Sequence, residues 1–187
     1  MLVGCLLARD FDEDAYRLPR ERLEMAGVEV RIVGVRRGQL LLGFDGRERV
    51  CVDMGIRAAV EADFDGIYIP GGSSPDHLRA HPLVIELVRK LFRAGRPIGA
   101  LGHGPQILLT AGLVRGRRLT ASPTVRGDLR AAGAHVLDRE IVVDGNLVTT
   151  PGTHAGELDT FSHVFLSMLG VPTGSFAEDV ISVQLSG

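Results

Sequence analysis

GALGHGPQILL, residues 99–109, decides the fold of this chain. The apolar run 98–101 has the length of a strand, residues 106–110 have helical character, and a Gly-His-Gly-Pro corner stands between them. A strand that turns at once into a helix needs small residues two before and two after the apex, because backbone and sheet crowd there. Ala100 and Gly104 meet that need around Gly102. The spacing therefore predicts a strand, an elbow and a helix, with an apex residue that carries no side chain. A corner of this kind usually displays a functional group, and here the displaying position is empty.

Working outward, short apolar runs alternate with helical patterns along the whole chain. This is the signature of an α/β protein with a mostly parallel central sheet. Strands are predicted over 2–7, 28–33, 66–69, 98–101, 135–137, 141–143 and 147–149. Asp45-Gly46 and Asp144-Gly145 supply the positive φ angles that tight hairpins need, so two hairpins are expected beside the parallel core. Apolar pairs recur every four residues over 83–92 until Gly95 and Pro97 stop them, and a second stripe runs over 158–169 up to Gly170. A helix near 14–26 ends at Gly27, and Pro19 must kink it or mark its true start. Residues 1–170 read as one domain. The stretch 171–187, with its apolar run 180–185, reads as an extension that packs on the domain or on a partner subunit.

At 187 residues the chain has room for one well-buried domain. Apolar residues make up 45%, charged residues 24%, and the formal net charge is -2, the balance of an ordinary globular protein. A general nucleic-acid or membrane-surface role is disfavoured. Cys5 and Cys51 fall in separate predicted strands and offer neither a disulfide framework nor zinc-ligand spacing. That fits a reducing cytoplasm, and the apolar start lacks the basic flank of a signal peptide and stops at strand length. Gly99, Gly102 and Gly104 are in the wrong order for a dinucleotide fingerprint, so no cofactor is expected.

Ligands of open α/β sheets bind where strands end and helices begin. Three stretches fall at such ends: residues 8–14 (ARDFDED), 70–77 (PGGSSPDH) and 102–106 (GHGPQ). They are expected to be neighbours in space. The pattern PGG with a following SPD, then GHGPQILLTAGLVRGRRLTA, then IVVDGNLVTT, resembles the ThiJ/PfpI family, within the superfamily that includes glutamine-amidotransferase-like domains. The resemblance runs from about Leu2 to Leu169. It implies a flavodoxin-like three-layer sandwich and, commonly, a homodimer or larger assembly.

The resemblance also implies a cysteine immediately before the elbow histidine, and at that position this chain has Gly102. Neither Cys5 nor Cys51 is placed to substitute. His103 is retained. Asp12 stands where the family has an acidic residue against the elbow thiol, one methylene shorter than the usual glutamate. Asp76 matches an acidic residue that reaches the elbow histidine from a neighbouring subunit. Near the end of the last hairpin, where the family often has arginine, Pro151 follows Thr149 and Thr150, and His154 is a local novelty.

Two functions follow. One is a thiol-independent acid–base enzyme of lyase, hydratase or isomerase type on a small polar or carbonyl metabolite. It would use His103, Asp12 and Asp76, with backbone N–H groups at Gly71, Gly72, Gly102 and Gly104 around the ligand. The other is a non-catalytic relative that binds a small ligand or a protein partner. Ser122 and Thr124 either contact ligand or cap the helix expected over 125–132. DFDED lacks the threonine of a phosphatase start motif, so one functional member, Asp12, in a solvated acidic loop is the better reading. His77 and His81 have metal-compatible spacing but no third ligand, and no metal is assigned. Arg115 to Arg118 (RGRR) reads as a solvated cap of the preceding helix.

Overall fold

The computed structural model describes residues 1–173, so the run 180–185 lies outside the described residues. In chain order the elements begin with β1 (Leu2–Leu6), α1 (Glu13–Met25), β2 (Glu29–Gly34), β3 (Leu40–Leu42), β4 (Arg49–Cys51), β5 (Met54–Gly55) and α2 (Ile56–Glu61). Next come β6 (Gly66–Ile69), α3 (Ser74–Arg79), α4 (Pro82–Arg93), β7 (Ile98–Leu101), α5 (Pro105–Thr110) and β8 (Arg118–Leu119). A 3-10 turn (Pro123–Val125) precedes α6 (Arg126–Ala131), β9 (His135–Val136), β10 (Val142–Asp144), β11 (Leu147–Thr150) and α7 (Ala155–Met168).

The central sheet has seven strands in the order β10-β11-β7-β6-β1-β2-β5. All its pairs are parallel except the β10–β11 hairpin. The strands read as unbroken apolar runs because both faces are covered, and the period of two divides each run between two cores. Val3, Cys5 and Leu7 face one layer with Tyr68, Leu101 and Val148, against α1 and α7. Leu6, Ile67, Ile69, Ile98, Ala100 and Leu147 face the other, against the stripe Val84, Leu87, Val88 and Leu91 of α4. Each fully buried aliphatic of this kind is worth about 1.5–3 kcal/mol. Gly99 has no side chain because the Phe161 ring occupies the place of one. The result is the three-layer α/β sandwich expected.

Two local expectations are revised. The strand near 135–137 forms, but it pairs with β8 in a separate two-stranded sheet rather than joining the main one. The hairpin β3–β4 forms around Asp45-Gly46 beside the parallel core, as expected, as its own two-stranded sheet. Of the two roles open to Pro19, the true start of the helix is excluded: α1 begins at Glu13 and runs through the buried proline, because packing against the core outweighs the lost backbone bond. The RGRR segment is not a solvated cap. Arg117 stacks over Phe92 at 5.4 Å and reaches the Asp144 carboxylate at 3.2 Å, while the Arg118 N–H donates to the same carboxylate at 2.7 Å. These contacts tie the loop after α5 to the β10–β11 hairpin. Among the described residues no helix is long and apolar enough to cross a membrane.

β1 lies between β6 and β2, so the chain leaves β1 on one side for β2 and later returns on the other for β6. That reversal opens a crevice at the C-terminal ends of β1 and β6. The elbow closes its third side through β7 and requires glycine at 104: a Cβ there would lie 2.7 Å from the Ile69 carbonyl oxygen and 2.9 Å from the Leu101 nitrogen. Both obstacles are backbone. Gly104→Ala is predicted to cost at least about 2–3 kcal/mol. Gly127→Ala, in α6 with nothing within 4 Å of the added carbon, should instead gain about 0.5–1 kcal/mol. Thermal denaturation of the two variants should shift in opposite directions; an unshifted Gly104→Ala would refute the close approach.

Candidate functional site

The loops after β1 and β6 are laced together by their own backbones. The Asp12 N–H donates to the Gly71 carbonyl at 3.2 Å, and the Ser73 N–H donates to the Asp10 carbonyl at 2.8 Å. Buried Ser74 accepts the Ala8 N–H on its hydroxyl at 2.9 Å. Gly72, at φ +74°, permits this lacing: a Cβ would lie 2.5 Å from the Asp10 oxygen and 2.6 Å from the Asp12 nitrogen. The elbow apex is pinned from both sides. The Gly102 N–H donates to the Thr150 carbonyl at 2.9 Å and its carbonyl accepts the Ser122 N–H at 3.0 Å. Gly102 has φ +59°, a region that side-chain-bearing residues rarely adopt. Space is not the obstacle, since an added Cβ would meet Gly71 Cα and the Pro151 oxygen at an ordinary 3.5 Å.

Beside the apex is a cleft of about 370 Å³ that brings together Asp12, Gly72, Asp76 and His103. Their partners define what each can do. Asp12 is the N-cap of α1 and accepts the Ala15 N–H at 2.9 Å. Asp76 is exposed on α3 and among the described residues reaches only Arg79, at 3.6 Å. His103 is held through Nε2 by the Thr124 hydroxyl at 2.9 Å, and Thr124 Oγ1 lies 3.3 Å from the Ser122 hydroxyl. Within one chain it is therefore this pair of hydroxyls, and not Asp76, that orients the imidazole. Neither hydroxyl caps a helix: the N-cap of α6 is Val125. Gly71 and Gly104 are buried behind the cleft wall. His154 is exposed at the N-terminus of α7, makes no capping bond and does not line the cleft.

The outer wall was not legible in the sequence. Glu13, only 3% exposed, accepts the Arg47 N–H at 2.9 Å and pairs with its guanidinium at 3.0 Å. Gly43 leaves room for the Glu13 side chain. These contacts lock the β3–β4 hairpin tip over the first turn of α1 and set Phe44, 70% exposed, at the rim. The only signal available was the Asp45-Gly46 turn, which announces a hairpin but not where its tip will rest. Five carboxylates line the cleft against one arginine and one histidine, so its field is negative.

The cysteines complete the chemistry by exclusion. Cys5 is fully buried in β1, and burial pushes its thiol up to about 12, with the Tyr68 hydroxyl only partly offsetting the loss of solvent. At neutral pH it holds its proton and is no nucleophile. Cys51 is exposed on β4 and does not line the cleft. Native protein treated with iodoacetamide at pH 8 should be alkylated at Cys51 alone, with Cys5 reacting only after denaturation. Alkylation of native Cys5 would contradict the burial. Because the folded thiol holds its proton more tightly than the unfolded one, its contribution to stability is complete below pH 9 and is lost as pH rises from 9 toward 12.

The comparisons with known proteins agree with this architecture. The DJ-1/PfpI family profile matches residues 2–167. The chain is 33% identical over 168 residues to the Escherichia coli (strain K12) protein/nucleic acid deglycase 2, covering 90% of this chain and 97% of that protein. It is 39% identical over 169 residues to an uncharacterized protein of Staphylococcus aureus (strain Mu50), covering 89% of this chain and 97% of that one. Among solved structures it superposes with TM-score 0.86 and 33% identity on a two-domain Anabaena variabilis protein containing DJ-1/ThiJ/PfpI-like and ferritin-like domains, covering 93% of this chain and 49% of that one. Drosophila melanogaster DJ-1beta shares the fold at TM-score 0.82 and 22% identity, covering 98% of this chain and 97% of that one. With its three-layer sandwich and its glycine-lined elbow, the chain belongs to the DJ-1/PfpI family.

Proposed function

We propose that this protein is a thiol-independent acid–base enzyme of lyase, hydratase or isomerase type, acting on a small polar or carbonyl metabolite in the elbow cleft. The observation that carries the reading is His103: its ring is fixed through Nε2 by Thr124 on the lining of a cleft that also holds Asp12 and Asp76. Nδ1 makes no hydrogen bond among the described residues and is the nitrogen free to exchange a proton with a ligand. The Gly72 and His103 N–H groups make no backbone hydrogen bond among the described residues, so they are the donors for an oxygen that gains negative charge. In this scheme His103 removes a proton next to a carbonyl, the backbone amides hold the resulting enolate oxygen, and an acid of the cleft returns a proton. The working unit is a homodimer, in which exposed Asp76 serves His103 of the partner subunit.

A second reading rests on the occupied carboxylates: Asp12 is spent on its N-cap and Asp76 on Arg79. Under it the cleft binds a small ligand or a protein partner and turns nothing over.

One assay separates the two. The reading is for a small carbonyl metabolite, so methylglyoxal consumption is measured for wild type, His103→Ala and Gly102→Cys. The acid–base reading predicts turnover by wild type that falls about 10²–10⁴-fold in a folded His103→Ala. Gly102→Cys should fold with a loss of about 1–3 kcal/mol, from its left-handed backbone rather than from crowding. Turnover by Gly102→Cys alone would establish the binding-only reading, and unchanged turnover in His103→Ala would remove the role of the imidazole.

A further inference from the structure

A second concave site lies at the β2–β5 edge of the sheet. It is a groove of about 820 Å³ between β2, the turn into β3, and α2, and it shares no lining residue with the elbow cleft. Three arginines line it beside Arg31: Arg36 and Arg37 from the turn, and Arg57 from the first turn of α2. The turn is fixed by backbone bonds, the Gly38 N–H donating to the Val52 carbonyl at 2.8 Å and the Gln39 N–H to the Arg36 carbonyl at 3.3 Å. It lies directly against Gly55, where a Cβ would sit 3.2 Å from the Arg37 nitrogen and 3.8 Å from Arg36 Cα. The missing side chain at 55 is what lets the two arginines of the turn and Arg57 share one groove.

None of these three guanidinium groups makes an ion pair or hydrogen bond among the described residues, in contrast to Arg31 of the same groove, which pairs with Glu29 at 2.5 Å. The nearby carboxylates form no ion pair with them among the described residues. Asp53 accepts the Ile32 N–H at 2.8 Å, and Glu61, one helical turn after Arg57, forms no pair with it. Three positive charges carried on one groove by a turn and a helix favour an anion there. A carboxylate carries one charge, whereas a phosphate monoester carries close to two at neutral pH and offers three oxygens to guanidinium forks. Val35, Met54 and Ala58 provide an aliphatic floor beside the arginines.

We propose that this groove binds a phosphate monoester with an apolar organic part, its phosphate on Arg36, Arg37 and Arg57 and its body on Val35, Met54 and Ala58. The site is independent of the elbow chemistry. The test is isothermal titration of the intact protein at low salt with phenyl phosphate, inorganic phosphate, benzoate and a twelve-residue oligothymidylate. Saturable 1:1 binding of phenyl phosphate is expected, tighter than inorganic phosphate because of the floor and about tenfold or more tighter than benzoate because of the charge. Arg57→Ala, and separately Arg36→Ala with Arg37→Ala, should each weaken it about tenfold or more. His103→Ala in the elbow cleft and Arg93→Ala on α4 should leave it unchanged. The proposal is overturned if the groove variants bind like wild type, if benzoate matches phenyl phosphate, or if binding does not saturate. Displacement of phenyl phosphate by the oligonucleotide with affinity that grows with its length would overturn it in favour of a nucleic-acid backbone site.

Discussion

The approach of one backbone to another at the elbow is the constraint on which the rest depends. Gly104 must pass under the Ile69 carbonyl while its N–H closes on the Leu101 carbonyl at 2.7 Å, and this turns β7 into α5 with no intervening loop. Once the turn is this tight, the apex at Gly102 is forced into the left-handed region and fixed between β11 and the segment carrying Ser122. The same compression recurs in the facing loops, where Gly72 and Asp10 also have positive φ; Asp10 is the only non-glycine residue to do so among the described residues. Such a residue costs on the order of 1–3 kcal/mol and persists only where its surroundings over-determine it. Here they do: Asp10 is held by the Leu42 carbonyl, the Ser73 N–H and the His77 ring.

That rigidity gives the site its character. An apex able to carry a side chain without steric conflict carries none, so the scaffold presents backbone amides, an imidazole and carboxylates around a negatively charged cleft. The imidazole is oriented by neutral hydroxyls rather than by a carboxylate of its own chain. The buried thiol of Cys5 belongs to the apolar core beneath, where Tyr68 donates its hydroxyl to the Tyr16 carbonyl. Arg36 and Arg37, which with Arg57 of α2 have no ion pair among the described residues, lie on a turn fixed in the same way, by backbone bonds and a glycine. The cleft and the groove thus both lie on elements whose geometry the sheet dictates.

Much of this was readable in the sequence because it is local. The elbow declares itself through Ala100 and Gly104, the alternating α/β order through the spacing of apolar runs, and the family through PGG, GHGPQ and VVDGN. What was not readable depends on contacts between distant segments. Nothing near Glu13 says that a hairpin thirty-odd positions later will bury it, and nothing near Arg117 says that Asp144 and Phe92 will hold it. Pro19 left two readings open, a kink or a true start, and burial against the core is what carries α1 through it. Strand 135–136 was recognised as a strand, but its partner is chosen by where the loop after α5 passes, which no periodicity records.

The central claim, that the cleft works without sulfur, is open to a direct measurement because the chain has only two cysteines. Carbonyl turnover by the folded double variant Cys5→Ala with Cys51→Ala is compared with that of the wild type. The account predicts equal turnover in a protein that contains no thiol; abolished turnover in a double variant with native circular dichroism would contradict it.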